Sequence, residues 1–361
     1  MLAVFRVDAG AKIGVGHLMR CHALAQALEE NHADILFIMR AEARDVALAR
    51  HDWVGRIVTI PESINMADES NWIRDYLYDS PVAEQLATQN QKTSIILILD
   101  GYQFSSHYRQ QLKQSISVPL VLFDDSNDSG LLYADVVINS ATSAFELNYR
   151  DTAPLAELCL GEDYRVLRKE FRYLPDIPWS QKQSLTLVFG GSDVANLTIN
   201  TLQVLQNMAW QSPVRVLTGA AYQPLAALSE TIQGCDFAVQ HLPNCQDVAD
   251  VFCHSKLVVS AAGSSQFELH ACVTPSILVT VADNQIGATQ VAVQQKWCQV
   301  LDMRQIAERD AEQQLAEITK LGQLINELWH DETQLRQMRE AAVKSKPVSD
   351  GEALLDVLFQ L

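Results

Sequence analysis

His17 is the residue near the start of the chain with the clearest means to do chemistry. It follows three glycines, Gly10, Gly14 and Gly16, set within seven positions. Glycine lets a backbone approach a ligand closely and take up dihedrals that other residues avoid. A neutral imidazole can accept a proton, and a histidine beside the positive end of a helix tends to stay neutral. The elements that must position His17 are legible on either side. Leu2–Val7 is an apolar run with β-branched members and reads as a buried strand. Leu18, Cys21, Leu24 and Leu28 recur at helical spacing and mark one face of an amphipathic helix. The unit is strand, glycine loop, helix, with the free N–H groups of the helix start turned toward the loop. The spacing Gly14-x-Gly16-x-x-Met19 lacks the third glycine of the dinucleotide fingerprint, and no P-loop follows. A histidine at a helix start is also a common cap or packing residue, so spacing alone leaves its role open.

Other candidates stand where strands end. Ile95–Leu99 is a strongly apolar central strand running into Asp100-Gly101-Tyr102. Val118–Phe123 runs into Asp124-Asp125, and Val136–Ile138 into Asn139. Open parallel sheets bind ligands beyond the carboxyl ends of their strands. Asp8, Asp100, Tyr102, Asp124 and Asn139 are therefore candidates to line one crevice, although an Asp just past a strand also caps helices. In the second half, Leu185–Phe189 leads into Gly190-Gly191-Ser192-Asp193, and Leu257–Val259 into Ala262-Gly263-Ser264-Ser265. These two loops can cradle a diphosphate with backbone N–H and hydroxyl donors. Glu268, one turn further on, can accept hydrogen bonds from ribose hydroxyls or be a solvated first-turn acid.

The chain has 361 residues, which points to two domains. Strands and helices alternate throughout, with further strands expected at Ile35–Met39, Gly55–Ile60, Val214–Leu217, Phe237–Val239, Ile277–Val281 and Gln299–Leu301. That alternation predicts an α/β protein with helix-covered parallel sheets. The expected division is residues 1–175, residues 180–345, and a C-terminal helix over 346–361 that packs back on the first domain. A cleft between the domains is the natural ligand site. Asn196 stands where the helix after Asp193 should be capped.

Bulk properties remove several classes of function. A net charge of −17 argues against non-specific nucleic-acid binding and against an anionic membrane surface. No window of about 18 apolar residues is present, so no membrane span is expected. The chain enters a strand at once, so no export signal is expected. Seven scattered cysteines without a Cys-x-x-Cys pair fit a reducing cytoplasm. No cluster suggests a metal, and neither a metal nor a cofactor is expected; the expected oligomeric state is a monomer.

Several stretches resemble one family. Phe5-Arg6-Val7-Asp8 with Ile13-Gly14-x-Gly16-His17-x-x-Arg20-Cys21 is similar to the opening of the UDP-2,4-diacetamido-2,4,6-trideoxy-β-L-altropyranose hydrolases of bacterial pseudaminic acid synthesis. The resemblance continues through Leu160-Gly161, Tyr164, Leu167-Arg168 and Glu170-Phe171. It resumes at Phe189-Gly190-Gly191-Ser192-Asp193, Asn196-Leu197-Thr198 and Ala282-Asp283-Asn284-Gln285, reaching about residue 305. It implies a GT-B fold of two Rossmann-like domains facing a deep cleft. It further implies inverting attack of water on a UDP-sugar, with His17 as base and Tyr102 facing the reaction. Substrate binding would fall to Arg6, Asp8, Gly14, Gly16, Gly190, Gly191, Ser192, Gly263, Ser264, Ser265, Glu268, Asn284 and Gln285. The chain departs from the family pattern at Asp100-Gly101-Tyr102, where many members have Asp-His-Tyr. It departs again at Ala262, where glycine is usual, and at Phe267, where tryptophan is. Related spore-coat and surface-polysaccharide proteins share Asp-Gly-Tyr. These departures bear on which sugar is taken more than on the reaction. A glycosyltransferase, a hydrolysing UDP-sugar 2-epimerase and a non-catalytic nucleotide-sugar binder are the competing readings.

Overall fold

The computed structural model describes the chain apart from residues 11–12, 80–93, 192, 194, 220–221 and 347–350, and at Asn284 describes the backbone alone. Two compact units form. The first comprises Met1–Gly10, His17–Arg168 and Val348–Leu361, and the second Ala11–Gly16 and Lys169–Pro347.

The first unit holds a seven-stranded, all-parallel sheet. Its strands are β1 (Leu2–Val7), β2 (Asp34–Met39), β3 (Arg56–Thr59), β4 (Ile95–Asp100), β5 (Leu120–Phe123), β6 (Val136–Asn139) and β7 (Glu157–Leu160). They lie in the order β3-β2-β1-β4-β5-β6-β7. The connecting helices include α1 (Gly16–Glu30), α2 (Ala41–Leu48), α3 (Glu69–Asp79) and α4 (Ser106–Ser115). β1 is buried along its whole length, as expected of a central strand covered on both faces. One face sends Leu2 and Val4 into a core with Leu36, Leu97, Leu99, Tyr108 and Leu122. On the other, Phe5 stacks on Phe37 at 4.7 Å.

The second unit holds a six-stranded parallel sheet in the order β10-β9-β8-β11-β12-β13. The strands are β8 (Ser184–Val188), β9 (Val214–Thr218), β10 (Val239–Pro243), β11 (Ser255–Ala261), β12 (Ser276–Thr280) and β13 (Cys298–Asp302). Its helices include α5 (Leu197–Asn207), α6 (Leu225–Gln233), α7 (Val248–Cys253), α8 (Ser265–Ala271), α9 (Ile286–Gln294), α10 (Ala311–His330) and α11 (Glu332–Ser345). Leu187, Val216, Val259 and Val279 from four neighbouring strands meet Leu202, Leu205, Leu321 and Ile325 from α5 and α10 in one core.

A last helix, α12 (Glu352–Phe359), returns to the first unit. Gly351 enters it at φ +93, and a Cβ there would stand 2.6 Å from the Val166 side chain. Only glycine fits both the left-handed backbone and that approach.

Three local expectations are corrected. The main segment of the first unit ends at Arg168, ahead of the division expected after residue 175. β10 begins at Val239, where the expected strand ended; Phe237 is buried in the core before the strand, and no residue of the edge strand itself is fully buried. Asn196 occupies the N-cap position of α5 in a left-handed conformation with no side-chain cap bond. The cap is Asp193, whose carboxylate accepts from the N–H groups of Leu197 and Thr198 at 2.9 and 2.8 Å. No described helix is long and apolar enough to cross a membrane.

Candidate active site

In the first sheet the strand order reverses direction between β1 and β4, the place where ligands collect in doubly wound sheets. Val7 pairs with Asp100 there, so the loops after both strands leave the sheet side by side. α1 starts at this point. Its periodicity puts His17, Arg20 and Cys21 on one face, three and four residues apart. All three side chains converge on Asp100.

Asp100 is fully buried at the end of β4. Its Oδ1 lies 2.7 Å from His17 Nδ1 and 2.7 Å from Arg20 Nη2, and its Oδ2 lies 2.5 Å from Arg20 Nε. The Cys21 thiol donates to the same Oδ2 at 3.6 Å. Burial alone would raise the Asp100 pKa, but Arg20 and His17 outweigh it and hold the carboxyl down at about 2. Arg20 reaches on to Asp125, with Nη1 2.7 Å from Oδ1. Asp125 in turn accepts from the Tyr102 hydroxyl at 2.6 Å, and Arg20 holds its carboxyl below the usual range against the effect of burial. The Tyr102 ring stands edge-on to His17 at 4.6 Å. The Arg20 guanidinium also lies 5.0 Å over the Phe123 ring at the end of β5.

This arrangement fixes the tautomer of His17. A carboxylate can only accept, so Nδ1 carries the hydrogen. The Arg20 contact to Nδ1 at 3.2 Å is then donor against donor and adds no bond. In the neutral ring Nε2 then keeps the lone pair. The result is a histidine base oriented by a buried carboxylate, itself oriented by an arginine.

Arg6 and Asp8 are corrected. Arg6 is 0% exposed, so it presents nothing to a ligand. Its Nε bonds Glu69 at 2.6 Å and its Nη2 pairs with Asp8 at 2.7 Å. Glu69 also takes Arg40 at 2.5 Å and the Tyr108 hydroxyl at 2.7 Å. Asp8 accepts the Arg40 backbone N–H at 2.8 Å. This ion network ties β1 to the starts of α2, α3 and α4; it is buried architecture. Asp124 and Asn139 also turn inward, joined through the Tyr149 hydroxyl at 2.7 and 2.9 Å.

The glycine loop fits close approach. Gly14 has φ +80, and a Cβ on Gly14 or on Gly16 would meet nothing within 4 Å. In the second sheet the order reverses between β8 and β11, and the glycine loops follow those two strands. Gly190 has φ +78 with open space at its Cβ position. Gly191 lies against Gly219 after β9, where an added Cβ would stand 2.5 Å from the Gly191 Cα. Gly219 was not singled out from the sequence; its position directly after a strand is the only signal it carries there. Ser192 lies outside the described residues, as does the Asn284 side chain. Ser264 and Ser265 open α8, with Glu268 in its first turn. Gln285 Oε1 accepts from the Val281 and Ala282 N–H groups at 2.8 and 3.3 Å, while its Nε2 lies 4.0 Å from the Cβ position of Gly263. The Gly263 loop and the Ala282–Gln285 turn therefore meet. Among the described residues, no group of three or more His, Cys, Asp or Glu is placed to hold a metal ion.

No protein-family model matches the chain. An uncharacterized protein of Methanocaldococcus jannaschii is 23% identical over 274 residues, 72% of this chain and 52% of that protein. The chain thus matches about half the length of that relative. The UDP-2,4-diacetamido-2,4,6-trideoxy-β-L-altropyranose hydrolase of Campylobacter jejuni is 22% identical over 231 residues, 64% of this chain and 74% of that one. Among solved structures, MurG of Acinetobacter baumannii aligns with a TM-score of 0.63 at 14% identity, over 99% of both chains. Anabaena HepE in complex with UDP-glucose aligns with a TM-score of 0.62 at 13% identity, over 100% of both chains. The fold is GT-B. Likeness at this level of identity carries the fold and nothing of the reaction.

Proposed function

We propose that this protein hydrolyses the anomeric C–O bond of a UDP-2,4-diacetamido-2,4,6-trideoxyhexose, with inversion, in pseudaminic acid-type biosynthesis. The observation that carries the proposal is the His17–Asp100 pair, 2.7 Å apart, with Nε2 left as an acceptor. Nε2 takes a proton from water as the water oxygen attacks C1. The C1–O bond to the diphosphate breaks, and its electron pair leaves with UDP. Because UDP already leaves readily, a single base suffices where ordinary inverting glycosidases need an acid as well. Tyr102, steadied by Asp125, lines the approach to His17. The glycine loops after β8 and β11 supply donors for the diphosphate, Glu268 holds the ribose, and Asn284 and Gln285 reach the sugar. The named activity of the Campylobacter relative supports the reaction, and the UDP-glucose complex of the HepE neighbour supports the nucleotide.

The test is incubation of the purified protein with a panel of UDP-diacetamido-trideoxyhexoses in ¹⁸O-labelled water, followed by NMR and mass spectrometry. Free sugar carrying the label at C1, with inverted anomeric configuration and unlabelled UDP, is the expected result. Release only when an acceptor is added would make the protein a transferase. A changed configuration at C2 would make it an epimerase, and tight UDP binding without turnover a binder; each of the three overturns the proposal.

A further inference from the structure

Within the second unit a cavity of about 140 Å³ is lined by Lys182, Cys253, Cys272, Arg339 and Lys346 together with apolar side chains. It lies apart from the strand-end loops, at the last residue of α7 and the residue that caps the end of α8. One hydroxyl ties these two helix ends together: Thr274 Oγ1 lies 2.9 Å from the Phe252 carbonyl and 3.1 Å from the Cys272 carbonyl. Both thiols are buried and unbridged. The Lys182 ammonium, itself buried, donates to the Cys253 carbonyl. Arg339 adds a second cation and pairs at 2.9 Å with Asp176 on the rim.

We propose that Cys253 and Cys272 form a peroxide-sensitive dithiol, a site of reversible oxidation to a disulfide. The cavity is small, so the fitting oxidant is hydrogen peroxide rather than a peptide disulfide. The lysine and arginine favour a thiolate at this place. A hydrogen bond from Cys272 lowers the Cys253 pKa against the effect of burial, and Lys182 adds to the lowering. Burial raises the thiols of Cys21, Cys159, Cys235 and Cys298 instead. The Lys182 ammonium is anchored at Cys253, which makes Cys253 the attacking sulfur and Cys272 the resolving one. The Cys253 thiolate attacks one peroxide oxygen; an S–O bond forms, the O–O bond breaks, and the departing hydroxide takes up the proton that Cys253 released. The Cys272 sulfur gives up its proton and attacks the sulfenic sulfur; the S–S bond forms, the S–O bond breaks, and water leaves. Two thiols are oxidised by two electrons while one peroxide becomes two waters.

The experiment treats the full-length protein with hydrogen peroxide, blocks remaining thiols with N-ethylmaleimide in denaturant, and maps peptides without reduction. The expected major product is the Cys253–Cys272 cross-linked peptide, lost on reduction. Protection from alkylation should rise at both positions together, about tenfold above Cys159 or Cys298. In Cys272→Ser, dimedone should trap a sulfenic acid at Cys253, and in Cys253→Ser, Cys272 should stay unreacted. The proposal is overturned if both thiols alkylate as in untreated protein, or if oxidation falls mainly on the other cysteines. Circular dichroism checks that the serine variants fold. If either does not, the wild-type peptide map decides alone.

Discussion

Replacing Asp100 with Asn removes one charge and one acceptor at the centre of the site while nearly keeping its volume. The amide can offer its oxygen to only one of the two edges that the carboxylate now serves. With the oxygen toward His17, the –NH₂ faces Arg20 Nε, which lies 2.5 Å from the present Oδ2. With the oxygen toward Arg20 Nε, the –NH₂ faces His17 Nδ1, and the histidine must shift its hydrogen to Nε2 to accept it. Either arrangement leaves one buried donor opposed, which costs about 1–3 kcal/mol. The charge has its own value. Asp100 titrates at about 2 when folded against an ordinary 3.8. That lowering corresponds to about 2 kcal/mol of stability, fully present above pH 4 and lost as pH falls toward 2. Together these give about 3–5 kcal/mol, the range seen when one partner of a buried ion pair is removed. In urea denaturation at pH 7, Asp100→Asn should lose that much, and its stability should fall less steeply between pH 4 and 2 than the wild type's. Turnover is measured by UDP release at a temperature where the variant stays folded. It should fall by about 10² or more, because neither arrangement supports the charged imidazole that forms as Nε2 takes a proton. The KM should stay within a few-fold of wild type. A kcat within tenfold of wild type would refute the reasoning that Asp100 makes His17 a base.

Two further variants address the second unit. Glu268→Ala should weaken UDP binding about 10- to 100-fold by calorimetry, the worth of charge-assisted bonds to ribose, while kcat at saturation stays within a few-fold. Gly219→Val would force the loops after β8 and β9 apart, since the added Cβ falls 2.5 Å from the Gly191 Cα. It should cost about 1–3 kcal/mol in denaturant unfolding and loosen UDP binding, with kcat per bound substrate least affected.

The parts of this molecule legible in the sequence are those fixed by local pattern. Leu2–Val7, Ile95–Leu99 and the helix after Gly16 carry unbroken apolar runs or clean helical spacing, and each forms where that pattern places it. β7 has a single fully buried residue, so no apolar run marks it. The site was legible as His17 behind its glycine loop and as separate strand-end residues. Nothing near Arg20 in sequence says that it clamps Asp100 and Asp125, which are 80 and 105 positions away. Asp8 misled because a charged residue at a strand end resembles a ligand contact, and Arg6 was expected at the site through the resemblance alone. Arg6 holds both Asp8 and Glu69, and Glu69 lies on α3, some sixty residues away from Arg6; only the folded chain turns them into buried structure. Gly219 became informative only through its contact with Gly191.

The most direct test of the account is the His17→Ala variant, assayed for UDP release from the preferred UDP-sugar alongside calorimetric binding of UDP. UDP affinity should remain within a few-fold of wild type while turnover drops by about 10² to 10⁴, the loss of a general base. Unchanged turnover with intact UDP binding would contradict the account, because no proton acceptor would then be missing from the reaction.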